Sequence, residues 1–272
     1  DIKVNLYKVA DVDVSGNYTA TGAFTGLDVS SVRADNNDAA SEWADRAKEA
    51  QKMLKESVEP TATVTLAKGI GSKDGLATGL YLVDTPEVVT TNYTYTFTPY
   101  LVSLPTNNYY SNGNDTWIYD LTDTNAIGLK PEEHARYGDL KINKTLANHN
   151  ATTGKKATFV FKIEITPLKG KTETRIESLD FEAAGDSSVT ITKIPAGAAV
   201  TVTEVYSGAS YKLTSANDQT TKIIATDEKG APVSVSFTND IDDNMNGGYG
   251  VKNNFKLDEN DQYQYTKPAA KN

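Results

Sequence analysis

The chain has no cysteine among its 272 residues, so it has neither a disulfide nor a thiolate metal site. Histidine is almost as scarce. His134 and His149 are the only two, they lack metal-ligand spacing, and both are expected on the surface. Apolar runs are short, and none approaches the length of a bilayer crossing, so no membrane insertion is expected. Basic charge is also in deficit: 27 Lys and Arg stand against 36 Asp and Glu, a net charge of −9. That balance argues against a nucleic-acid partner and against anionic membrane surfaces, since both are held by clustered cations. HExxH, GxSxG and a phosphate loop are all missing, and LKGKT lacks the upstream glycine a phosphate cradle needs. No secretory leader opens the chain, which starts directly on a strand pattern, as expected of a trimmed ectodomain.

What the sequence does have is Thr, Val and Tyr in short alternating stretches, the signature of β-structure. Its length suits two domains. The charged stretch LKPEEHARYG, with Pro131, reads as their junction, giving domains over 1–132 and 138–272. Turn signals separate a series of short strands in the second half, as in an immunoglobulin-like sandwich. One stretch of the first half changes period. Trp43, Ala47, Ala50 and Leu54 recur at helical spacing, which predicts a helix over about 38–57, capped by Asp38 or Ser41 and stopped by Pro60. Trp43 reads as its anchor on a sheet. At the far end GVKNNFKLDENDQYQYTK predicts one more hairpin.

Three strands of the second half carry an anomaly. In GDLKINKTL the period of two puts Leu140, Ile142 and Lys144 on one face. In AAVTVTEVY the shared face is Val200, Val202, Glu204 and Tyr206; in PVSVSFTND it is Val233, Val235, Phe237 and Asn239. An amine, an acid and an amide are thus each aimed at what should be one core, where an unpartnered charge is costly. The first half repeats the order with Lys8 on the Ile2, Val4, Leu6 and Ala10 side, Asp84 after Leu80 and Leu82, and Asn125 in the row of Trp117, Tyr119, Leu121 and Asp123. For any single lysine, snorkelling to solvent is the ordinary outcome. DIDDNMNGGYGV opens like a calcium loop at Asp242, Asn244, Asn246 and Gly247. It has Asn253 where the bidentate Glu belongs and no helical flanks, so it reads as a solvated loop, with calcium binding the lesser alternative and no cofactor expected.

YKVAD, GLYLVDT, GDLKINKTL, TVTEVY and VSFTND together resemble the motifs of Gram-positive, sortase-assembled pilins built from CnaB-type domains, along nearly the whole chain. The resemblance implies a mainly β fold of two tandem CnaB-type sandwiches, the first with a helical insertion. It implies spontaneous Lys–Asn isopeptide bonds, Lys144 to Asn239 with Glu204 assisting, and Lys8 to Asn125 with Asp84 assisting. It further implies a cell-surface structural subunit, not a turnover enzyme, whose partners are a pilus sortase and other pilin subunits, with a host-surface ligand as a further candidate. No sorting signal follows Asn272 and no YPK-type motif is present; Lys130 in GLKPEE is the candidate inter-subunit lysine. Two other readings stay open at this point. One is an adhesin with CnaB-like stalks, which an exposed aromatic patch near Tyr109 and Tyr110 would favour. The other is an extracellular carbohydrate-active sandwich enzyme, which paired carboxylates in a cleft would favour.

Overall fold

The computed structural model describes residues 1–30, 39–107, 117–122, 127–152, 156–208, 210–226, 230–242, 254–257 and 263–266. The chain divides into two compact units, Asp1–Arg136 and Tyr137–Asn272. Nearly all regular structure in both is β.

In the first unit the strands are β1 (Ile2–Val12), β2 (Tyr18–Ala20), β3 (Ala62–Leu66), β4 (Gly79–Asp84), β5 (Val88–Val89), β6 (Tyr93–Phe97), β7 (Tyr100–Leu104), β8 (Thr106–Asn107), β9 (Trp117–Ile118) and β10 (Pro131–Ala135). β2-β1-β4-β7 form a sheet that β3 joins through β1, and β10-β6-β5 form another. One helix, α1 (Ala39–Met53), lies on the first sheet. It buries Ala47 and Ala50 against Tyr7, Val9, Ala10, Leu80 and Leu82, while Trp43 packs at the margin with its ring 6.5 Å from Tyr18. The helix is shorter than its apolar spacing predicts. It ends at Met53 in a turn closed by Leu54 N–H on the Gln51 carbonyl, seven residues before Pro60. Ser41 lies inside it, and Asp38 falls outside the described residues.

The expected junction is itself structured. Pro131–Ala135 forms β10, antiparallel to β6, and its backbone pairing needs no apolar residue. All five of its residues are exposed, which explains why the charged sequence reads as a linker.

The second unit contains β11 (Tyr137–Leu146), β12 (Ala157–Thr166), β13 (Glu173–Phe181), β14 (Gly185–Pro195), β15 (Ala199–Tyr206), β16 (Tyr211–Leu213), β17 (Asp218–Lys222), β18 (Val233–Ile241), β19 (Asn254–Leu257) and β20 (Tyr263–Thr266). Two four-stranded sheets, β14-β11-β18-β16 and β13-β12-β15-β17, share one apolar core. Alternation dictates its contents: Leu140, Ile142, Val235 and Phe237 come from one sheet, and Phe159, Phe161, Ile163, Val200 and Val202 from the other. The Phe161 and Phe237 rings meet between the sheets at 5.2 Å. This is a β-sandwich. β11 and β18 run parallel side by side, with Lys144 opposite Phe237 and Leu146 opposite Asn239. β19 and β20 pair as a hairpin.

Candidate functional site

Parity alone places the three anomalous side chains of the second unit. Lys144 is the third inward residue after Leu140 and Ile142 on β11; Glu204 follows Val200 and Val202 on β15; Asn239 follows Val235 and Phe237 on β18. Lys144 and Asn239 are both 0 % exposed and Glu204 is 6 % exposed. Packing brings the three into one cluster. Lys144 Nζ donates to Glu204 Oε2 at 2.9 Å and also contacts Asn239 Oδ1, while Asn239 Nδ2 donates to Glu204 Oε1 at 2.7 Å. Every carboxylate oxygen and amide atom in the triangle therefore has a partner, the condition under which polar groups survive in a core.

The surroundings of the amine are aromatic. Nζ sits 4.3 Å above the Phe159 ring, which in turn touches Phe181 and Tyr211 at 5.6 Å each. Burial pushes the Lys144 pKa below its ordinary value, against the hydrogen bond and charge of Glu204, which raise it. The site thus favours a less protonated amine than an exposed lysine would carry. The expectation for Tyr206 fails. Val205 is an extra residue on β15, since Phe161 pairs with Glu204 but its neighbour Val160 pairs with Tyr206. This bulge turns Tyr206 outward, where it is 52 % exposed.

In the first unit Lys8 and Asp84 do not come together. Lys8 pairs across to Tyr81, whereas Asp84 pairs with Asn5 and shares the Tyr7–Leu82 side of the sheet. Lys8 and Asp84 therefore project from opposite faces. Lys8 lies against Gly79, where a side chain would strike its Cε, and it pairs with Asp11 at 2.5 Å. Asp84 faces α1 and accepts from Gln51 Nε2 at 2.6 Å. The single face expected for Ile2 to Ala10 is interrupted by a β-bulge between Lys8 and Ala10, which sends Ala10 to the helix side. Asn125 and Asp123 lie outside the described residues; Trp117 and Tyr119, the start of that row, are 52 % and 65 % exposed.

The remaining expected positions are dispersed. Lys130 is exposed and immediately precedes β10, its carbonyl accepting from Thr98 N–H. His134 lies on β10 with Nε2 3.0 Å from Thr96 Oγ1. His149 is half-buried rather than exposed, and its Nε2 is buried without a partner among the described residues. Of the calcium-like loop only Asp242 is described; Asn244, Asn246, Gly247 and Asn253 are not, nor are Tyr109 and Tyr110. Sequence reasoning missed Gln51 as the partner of Asp84, a contact between helix and sheet without a local signal.

A sequence family described as a domain of unknown function (DUF5979) matches residues 140–242, the stretch that carries Lys144, Glu204 and Asn239. No curated protein matches. Among solved structures, the chain is similar to a minor pilin of Streptococcus agalactiae at 13 % identity, with 89 % of this chain and 83 % of that one covered and a TM-score of 0.26. It is similar at 12 % identity to an adhesin of Mobiluncus mulieris with intramolecular disulfide, isopeptide and ester cross-links, with 89 % and 84 % covered and a TM-score of 0.28. A pilus-presented adhesin matches at 15 % identity and a TM-score of 0.24 over 39 % of this chain, which spans only 27 % of that protein. The chain is thus similar to pilins and adhesins, at TM-scores too low to transfer any residue's role.

Proposed function

We propose that this chain is a structural subunit of a cell-surface pilus whose second unit seals itself with an isopeptide bond between Lys144 and Asn239. The observation that carries this reading is the buried triangle of amine, carboxylate and carboxamide, held together by three contacts in an apolar core. An amine and a carboxamide in contact, away from water, are the two halves of an aminolysis. Lys144 Nζ attacks Asn239 Cγ. The Nζ–Cγ bond forms and the Cγ–Nδ2 bond breaks, while a proton from Nζ passes through Glu204 to Nδ2, and ammonia departs. Glu204 is suited to that transfer because one of its oxygens accepts from Nζ and the other from Nδ2. Folding supplies the proximity, with effective molarities of roughly 10⁵ M or more for well-oriented groups. The reaction happens once per chain and is not turnover.

The cross-link suits a load-bearing role, because it ties β11 to β18, the neighbouring strands at the two ends of the sandwich sequence. A pilus sortase would join such subunits through a surface lysine. Lys130 fits as acceptor by its exposure. The exposed Trp117 and Tyr119 favour, as a second reading, an adhesin whose stalk is the cross-linked sandwich and whose ligand contacts lie in the first unit.

Intact-mass measurement of the purified chain tests the central claim. The expected mass is below that of the sequence by one ammonia, with the deficit abolished in Glu204→Ala. A mass equal to the sequence mass refutes the cross-link.

A further inference from the structure

β11 ends at Leu146, two residues past the reactive lysine, and the turn that follows is tied down almost residue by residue. Ala147 N–H donates to the Asn239 carbonyl at 2.9 Å. Asn148 Nδ2 donates to Asp240 Oδ1 at 2.9 Å, and Asn150 N–H donates to the phenolic oxygen of Tyr211 at 3.0 Å. Tyr211 is buried on β16, opposite Ile241 of β18, and its ring packs on Phe159, the ring over which Lys144 Nζ sits. Gly208 makes room for it, since a Cβ there would come within 3.2 Å of Tyr211 Cδ2. One side chain therefore joins the turn to the aromatic wall of the amine site.

We propose that Tyr211 is a positioning residue for the cross-linking reaction, pinning the turn Ala147–Asn150 over the end of the core and so keeping water from the Lys144 amine. The inference rests on the cross-linking reading above. A dry site disfavours the ammonium form, and only the neutral amine attacks. Around Lys144, Glu204 of β15 touches it directly and makes no hydrogen bond to the turn among the described residues. Among the described residues, the nearby charged groups are engaged elsewhere: Asp186 of β14 accepts from Thr145, Asp240 of β18 from Asn148, and Lys162 and Glu164 of β12 pair with each other. His149, within the turn, has no partner among the described residues. Loosening the turn should therefore act on the amine through water.

The test follows ammonia loss by intact mass after the full chain, recovered unfolded from inclusion bodies, is diluted into buffers across a pH series. Tyr211→Phe removes one hydroxyl and keeps the ring. It should slow ammonia loss at neutral pH by roughly tenfold, the effect of a one-unit rise in the amine pKa, and the slowing should vanish as the pH is raised. Asn150→Pro, which deletes the donating N–H without touching the ring, should shift the profile the same way. Rates and profiles equal to the unmodified chain overturn the proposal. So does a slowing of equal size at every pH, which would mark Tyr211 as structural only. If the unmodified chain loses no ammonia, the cross-link reading itself falls and this inference with it.

Discussion

Stretching the chain from its two ends should reveal the cross-link as missing length. β11 and β18 are parallel neighbours, paired from Leu140 opposite Val233 to Leu146 opposite Asn239. Tension entering β11 at its start and leaving β18 at its end loads that ladder in shear. With the isopeptide bond in place the force path runs up β11 to Lys144, through the bond, and out from Asn239. The 95-residue step between the two positions is bypassed and carries no load. With Asn239→Ala the bond cannot form, and the same residues can pay out about 3.6 Å each, roughly 340 Å in all before the folded span is subtracted. Single-molecule stretching of the two chains side by side reads this directly. The variant should show a rupture step of that order, and the unmodified chain should show none from the second unit at the same force. An identical step in both chains would refute the reasoning, whatever the mass spectrum says of either.

Three further outcomes are expected. Lys8→Ala should leave the mass deficit unchanged, because Lys8 and Asp84 stand on opposite faces of their sheet; restoration of an ammonia in that variant would overturn this assignment. Gln51→Ala should lower the stability of the first unit by about 1 kcal/mol in chemical denaturation, since it removes the donor to Asp84 that links α1 to β4. An unchanged midpoint would mean the contact contributes nothing. Burial pushes the Tyr100 hydroxyl up to about 12, because the phenolate would have to form out of water. Ultraviolet titration should therefore show at least one tyrosine ionising well after the exposed ones, and Tyr100→Phe should remove that late step.

Local sequence carries more of the second unit than of the first, and the reason is physical. An antiparallel or parallel strand has a side-chain period of two, so the inward direction of Lys144, Glu204 and Asn239 follows from the apolar residues two and four positions before each. In GDLKINKTL, TVTEVY and VSFTND parity needs no knowledge of the neighbouring strand, because one face must be apolar. Parity within one strand says nothing, however, about which face of a shared sheet it matches in another. In the first unit both faces of β4 are largely buried, so Tyr81 and Val83 on one side compete with Leu80 and Leu82 on the other. The alternation of β1 is also broken by a bulge. Lys8 and Asp84 therefore look alike in sequence to Lys144 and Glu204 yet point apart.

Bulges and pairing partners are the nonlocal decisions. Val205 turns Tyr206 out of the core only because β12 supplies one residue where β15 supplies two. The charged Pro131–Ala135 becomes a strand only because β6 offers its backbone. Alternation along each strand dictates the strand-rich character and the burial of one amine, one acid and one amide. Whether those groups meet was decided by register and sheet packing, which bring β11, β15 and β18 together from positions 60 and 95 residues apart. Their proximity depends on long-range contacts, and a periodic pattern encodes only the direction in which each side chain leaves its own strand.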